Sequence, residues 1–281
     1  MLRQRVVTAL ILAAVFLSVL FFLPVALFSA FVATIVLISA WEWANLSGFE
    51  KTYSRIAYVL ALAVSIALVA AYVGLLPLDG AAGASQQRYQ NVLMVGCTWW
   101  ALALLWVQGY PSSALLWGRR ALRALMGFFV LVPTWAAFSY VRAHEFGAWL
   151  VLLIVLVVAS ADIGGYFVGR RFGRHKLAPK VSPGKTWEGF AGGVCANLLL
   201  SGLLWLLTNN TLLAVIALVV PTSLVSVLGD LLESMLKRER GIKDSSALLP
   251  GHGGVLDRVD SLTAAAPVFA LALIALDISF G

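Results

Sequence analysis

The sequence predicts an all-α, polytopic integral membrane protein of about nine transmembrane helices, with its N-terminus in the cytoplasm. Three observations predict it. First, 61% of the 281 residues are hydrophobic and only 12% are charged, about half the charged share of a soluble domain. Second, the apolar residues come in runs near the ~20 needed to cross a bilayer as a helix, without the strict alternation of a membrane barrel. Third, Lys and Arg concentrate in alternate connections, as expected where positive loops stay inside. Backbone groups in lipid must be satisfied within their own segment, so the spans are expected as helices.

The first span, 6–23, follows Arg3 and Arg5. Basic residues ahead of an apolar run resemble a secretory leader, but no clean small-x-small site follows and the hydrophobicity continues past Phe31, so a retained span is expected. Pro24 separates it from the second span, 25–44, because proline breaks a helix by removing a donor and crowding the preceding turn. Further spans are expected at 56–76, 92–107, 121–141, 148–168, 189–208, 212–232 and 261–280. With this count, all Lys and Arg except Arg88 and Arg142 fall on the cytoplasmic side. Fusing the first two spans would scatter them over both sides.

No soluble domain is apparent. The chain reads as a single membrane domain, 1–281, with 1–147 as scaffold spans and 148–281 carrying the chemistry. The polar stretch 77–91 is a Gly/Ala/Gln-rich exterior loop, whereas 169–188 and 233–260 lie on the cytoplasmic side. The net charge of +7 fits topology and anionic lipid headgroups and gives no reason to expect nucleic acid. Cys97 and Cys195 sit inside apolar runs and read as small buried side chains, without a disulfide or metal site.

Two polar clusters stand out. In "SVLGDLLESMLKRER", Asp230 and Glu233 are three apart and share a helix face, as do Asp257 and Asp260 at the entry of the last span. Helix ends brought together there would converge several carboxylates, which repel one another unless a cation sits among them. Hard oxygen ligands select Mg²⁺ or Ca²⁺, and Mg²⁺ commonly recruits phosphate oxygens as well. Lys237, Arg238, Arg240, Lys243 and Arg258 nearby suit a polyphosphate. Between the acidic pairs lies a Gly-rich loop, "PGHGG".

The second cluster runs from Ser160 to Gly193. Its "SPGKT" is not a Walker A loop, which needs a glycine where Pro179 stands, and no preceding strand is expected. A looser phosphate site could use Lys185, the Ser182 and Thr186 hydroxyls and the N-terminus of the following helix. Glu188 could add a metal ligand or pair with a base. Gly164, Gly165, Gly192 and Gly193 suit close helix packing. Asp162 is an ionisable residue within a span; neither it nor Glu42, near the end of the second span, receives a role from the sequence.

The stretch "SMLKRERGIKDSSALLPGHGGVLDRVD", Ser234 to Asp260, resembles the signature of the phosphatidate cytidylyltransferase (CDP-diacylglycerol synthase) family at every specified position, and "ADIGGYFVGRRFGRHKLAPKVSPGKTWEG" is similar to the family's other typical segment. The first 140 residues resemble the family only as apolar spans. The resemblance implies transfer of a cytidylyl group from CTP to phosphatidic acid, giving CDP-diacylglycerol and pyrophosphate. It implies dependence on Mg²⁺, with a monovalent ion such as K⁺ in a second site. The family's metal-centre aspartates match Asp230, Asp257 and Asp260, with Asp244 a weaker candidate. Lys237, Arg238, Lys243 and Arg258 match basic positions suited to phosphate. The resemblance assigns a backbone nest for triphosphate to His252, Gly253 and Gly254. Ser182, Lys185, Thr186 and Glu188 belong to the second segment, with their division between CTP and lipid phosphate left open. The resemblance allows a homodimer and points to a bacterial inner membrane with the site facing the cytoplasm. Two rivals remain: a CTP-dependent lipid kinase, which would release CDP, and a transporter or scramblase with Asp162 and Asp230 along a path.

Overall fold

The computed structural model describes residues 2–76, 84–249, 251, 253–276 and 278. The polypeptide forms α1 (Leu2–Phe22), α2 (Val25–Ser47), α3 (Thr52–Val73), α4 (Gln86–Gln108), the short α5 (Ala114–Trp117), α6 (Arg120–Arg142) and α7 (Gly147–Phe172). A two-stranded hairpin follows, β1 (Lys176–Ala178) and β2 (Ser182–Thr186), then α8 (Trp187–Leu207), α9 (Leu212–Arg240) and α10 (Leu256–Leu276). Eight of the described helices, α2 to α4 and α6 to α10, are long and apolar enough to cross a membrane, and α1 carries a shorter apolar stretch, Leu10–Phe22. The expected nine spans map one to one onto these nine helices. Outward-facing Leu60, Leu105, Leu199 and Leu206 are exposed, as a surface meeting lipid tails requires. The protein is a multi-pass membrane protein, nearly all α-helical.

Pro24 sits between α1 and α2, as expected. The most enclosed span is α6, which packs against α2, α4 and α10. There Gly96 of α4 meets Pro133 of α6 so closely that a Cβ would lie 2.6 Å from the proline Cβ. The tightest helix pair is α7 with α8. A Cβ on Gly164 would lie 2.7 Å from the Gly192 carbonyl oxygen, and one on Gly193 2.7 Å from that of Ala161. These glycines therefore do the close packing expected of them.

Four details differ from the sequence expectation. The segment "SPGKT" is β2, paired antiparallel with β1, so a strand exists where none was expected. It is held from outside: the backbone N–H of Trp187 donates to the His175 carbonyl at 2.9 Å. Second, α9 continues eight residues past its expected end, to Arg240, and α10 begins five residues early, at Leu256. Both extensions project polar turns beyond the apolar span. Third, Cys195 is exposed on the surface of α8 and Cys97 is half-buried; both are free. Finally, the two basic residues on the opposite side act as helix C-caps. Arg142 donates to the carbonyls of Leu20 and Leu23 at 3.1 and 3.0 Å, and Arg88 to that of Tyr72 at 2.9 Å. The last carbonyls of a helix lack intrahelical partners, and a guanidinium satisfies them.

Candidate active site

The site forms where the polar ends of α9 and α10 meet the hairpin. The two helices touch at Gly229, where a Cβ would collide with the backbone of Asp260. That contact sets Asp230 beside Asp260. One turn on, Glu233 is only 2% exposed; its carboxyl shares a hydrogen bond with that of Asp260, which also feels the negative charge of Asp230. Two lysines interleave with the acids. Lys237 Nζ lies 2.7 Å from Asp257 Oδ1 and 3.4 Å from Glu233 Oε2, bridging α9 to α10. Lys185 Nζ, from β2, lies 2.6 Å from Asp230 Oδ2, and Ser234 donates to the other Asp230 oxygen at 3.1 Å.

Lys185 joins the two sequence clusters in space. Its strand is carried against α8 by a local cap: the Thr186 hydroxyl accepts the Gly189 N–H at 3.1 Å, the N-cap interaction that satisfies an otherwise orphan donor. Glu188 clamps the approach to β1, accepting the backbone N–H groups of Arg174 and His175 at 3.1 and 3.2 Å and pairing with His175 Nδ1 at 2.6 Å. Arg238 Nε donates to the Val181 carbonyl at 3.2 Å, tying the hairpin to α9. Beside Lys185 opens a cavity of about 350 Å³ whose wall includes Asp162, Gly165, Arg170, Gly184 and Ser223.

The signature segment between α9 and α10 is organised by buried carboxylates. After α9 the chain turns at Gly241, which caps it in the left-handed region at φ 67°. Asp257 accepts the Ser245 and Gly254 N–H groups at 3.0 and 2.8 Å and the Ser245 hydroxyl at 3.0 Å. Gly253 sits at φ +82° with Asp257 Oδ2 only 2.8 Å from where a Cβ would be, so both its conformation and its lack of a side chain are used.

Glu42 reaches the same segment from α2. It is 1% exposed and accepts hydrogen bonds from the Ser246 hydroxyl (2.5 Å) and the backbone N–H groups of Val255 (3.0 Å) and Leu256 (2.6 Å), with the Ser245 hydroxyl, whose one proton faces both Glu42 and Asp257, at 3.2 Å. It therefore satisfies the orphan donors at the start of α10, where the helix dipole also favours a negative charge. Ser245 contacts both Glu42 and Asp257, linking the buried cap to the site. Asn45, three residues on, donates to the Ser245 carbonyl at 3.2 Å and accepts from Arg240 on its own carbonyl at 3.2 Å. Sequence reasoning left Glu42 without a role. The available signal was a carboxylate inside an apolar span, which is costly unless used.

Of the residues expected at the site, Asp230, Asp257, Asp260, Lys237 and Lys185 are brought together. Thr186 lines the Lys185 cavity while capping α8, and Ser182 is half-buried at the start of β2. Glu188 is engaged with His175 and the hairpin backbone. Arg238, Lys243, Asp244 and Arg258 lie exposed around the cluster. His252 lies outside the described residues. The N–H of Gly254 is taken by Asp257 and those of Val255 and Leu256 by Glu42, so these donors serve protein carboxylates.

Among the described residues, no group of three or more His, Cys, Asp or Glu could by itself hold a metal ion. The donors nevertheless suit a hard cation. All are carboxylate oxygens, and both Glu233 oxygens are buried beside Lys237 and Asp260. Mg²⁺ in nucleotide sites is usually held by one or two carboxylates plus substrate phosphates, without a complete protein cage.

The sequence matches the family model described as "Cytidylyltransferase family" over residues 3–276. It is 45% identical over 276 residues to a phosphatidate cytidylyltransferase of Pseudomonas aeruginosa, covering 97% of each chain. Identity is 42% over 282 residues with a Haemophilus influenzae protein of the same name, covering 96% of this chain and 97% of the relative. A Brucella suis phosphatidate cytidylyltransferase is 36% identical over 278 residues, 96% of this chain and 92% of its own.

Proposed function

The chain belongs to the cytidylyltransferase family, and from that membership we infer that it transfers the cytidylyl group of CTP to phosphatidate, leaving CDP-diacylglycerol in the membrane and releasing pyrophosphate. The strongest structural support is the convergence of two polar sequence segments through the Lys185–Asp230 pair, with the Lys237–Asp257 pair joining α9 to α10 beside it.

The chemistry needs such a site. A phosphate oxygen of the lipid forms a bond to the α-phosphorus of CTP, and the bond from that phosphorus to the bridging oxygen of the leaving pyrophosphate breaks. Both reactants are anions, so they must be held in line while their charges are offset. The lipid brings its own nucleophile, and no covalent enzyme intermediate is required. Lys185 and Lys237 reach phosphate from opposite sides of the acidic cluster, each oriented by the carboxylate that holds it. Ser182, Thr186, Lys243, Arg258 and Arg238 surround the approach.

We assign Asp230, Asp257 and Asp260 to a divalent cation, Mg²⁺ by donor chemistry, with Glu233 adjoining. When bound, it offsets charge on the α-phosphate and on the departing pyrophosphate. A second, monovalent ion such as K⁺ belongs to the same proposal. The basic residues clustered on this side support an inner-membrane protein whose site faces the cytoplasm, where CTP is available. A homodimer completes the proposal and is testable by cross-linking in native membranes.

The test is purified protein with CTP, phosphatidate and Mg²⁺, scored for both products. Asp230→Asn and Asp257→Asn should each abolish turnover in protein that still elutes as a single folded species in detergent. Chelation should stop the wild type and Mg²⁺ restore it. Near-normal turnover of either variant would remove that aspartate from the site.

A further inference from the structure

A second cavity, about 660 Å³, lies beside the charged one. It is bounded by α4, the hairpin, α8, α9 and α10, and its wall is overwhelmingly apolar, with Ala101, Leu104, Leu224 and Leu228 prominent. Leu177, Phe190 and Val227 line both cavities, so these side chains form a shared partition between the groove and the chamber beside Lys185. The only charged residue on its wall is Lys180, in the hairpin turn. Nothing in such a lining would hold a nucleotide.

The groove has a direction and a depth. On α4 its lining runs from Cys97 to Gln108, about 16 Å of helix at 1.5 Å per residue. On α9 it runs from Pro221 to Leu231. Its polar members, Gln108, Tyr110 and Lys180, gather at the hairpin end, and its far end is marked by Cys97, Pro221 and Val268. A single leaflet of the hydrocarbon core is about 15 Å deep. The groove thus opens beside the hairpin that carries Lys185 and is about as long as one leaflet is deep.

We propose that this groove binds an acyl chain of the phosphatidate substrate, and that α4 thereby helps set which chains the enzyme accepts. The proposal rests on the function inferred above and names the lipid half of that site. The shared partition places the chain's glycerol end near Lys185, and the exposed Ala101 and Leu104 lie along its course. The same geometry gives α4, which carries none of the charged site residues, a part in substrate selection.

Two measurements test it. Ala101→Trp fills the groove from a surface position that the fold tolerates. Its kcat/KM for dioleoyl phosphatidate should fall on the order of tenfold, the effect of excluding a small piece of hydrocarbon from an apolar pocket. Its kcat/KM for dihexanoyl phosphatidate and its KM for CTP should be unchanged, and Leu105→Trp, on the outward face of α4, should alter none of these. Equal loss with both lipids, or loss with neither, would overturn the proposal. Independently of turnover, phosphatidate carrying a photoreactive diazirine at its acyl terminus should label α4 or α9 along the groove. Dioleoyl phosphatidate should suppress that labelling and phosphatidylcholine should not. Equal suppression by both would mean that bulk lipid fills the groove. A wild-type protein that makes no CDP-diacylglycerol, yet shows phosphatidate-specific labelling, would refute the function while leaving the lipid site intact.

Discussion

Replacing Glu42 tests how the site is held together. Its carboxylate accepts hydrogen bonds from two serine hydroxyls, one of them shared with Asp257, and from two backbone N–H groups at the start of α10. Glu42→Ala leaves those two donors buried without partners, at about 1–3 kcal/mol each. The two serine hydroxyls can rotate toward other acceptors, but the amides cannot. Loss of a negative charge at the helix N-terminus adds about 0.3–2 kcal/mol. The total is about 2–8 kcal/mol, concentrated on the segment that carries Asp257. Glu42→Gln should cost less: its one oxygen can keep one of the two backbone donors, while its amide group faces the other. Thermal denaturation in detergent should therefore rank wild type above Gln above Ala. Hydrogen exchange at Val255 and Leu256 should quicken in the same order. Melting curves that superimpose, with unchanged exchange at those amides, would refute this role for Glu42.

Other variants probe separate links. Lys185→Ala removes the partner of Asp230 and, on the proposed function, a phosphate contact, so kcat/KM should fall tenfold or more, roughly the worth of one charge-assisted hydrogen bond; unchanged kinetics would reduce the hairpin to scaffold. Gly254→Ala pushes a methyl against Ser245 Oγ and Glu42 Oε1, and should destabilise the protein by about 1–3 kcal/mol and lower turnover with it, read by parallel melting and activity curves. Gly164→Ala forces α7 and α8 apart against the Gly192 carbonyl, whereas Gly202→Ala meets nothing within 4 Å. Only the first should lower thermal stability, and a matched loss in both would mean that the α7–α8 contact is not tight.

Much of the fold was legible because a bilayer imposes simple rules. Span length, the break at Pro24 and the distribution of Lys and Arg are properties of local composition. The acidic residues that meet at the candidate site stood out in the sequence because charges at the ends of apolar helices are costly and so point to use. What escaped was non-local. The pairing of β2 depends on β1 and on the Glu188 clamp, while its Pro and Gly argue against a strand. Glu42 finds its partners more than 200 residues away, and no spacing rule reaches that far. Arg88 and Arg142, odd as topology signals, cap neighbouring helices. The Lys185–Asp230 pair is likewise invisible until the hairpin folds back onto α9.

The inferred reaction is tested most directly by following phosphorus. The protein is supplied with phosphatidate and Mg²⁺ and with CTP labelled either at the α-phosphate or at the γ-phosphate. Cytidylyl transfer requires α-label to enter the lipid product and γ-label to leave as pyrophosphate. Entry of γ-label into the lipid, with CDP released, would contradict it and make the protein a lipid kinase.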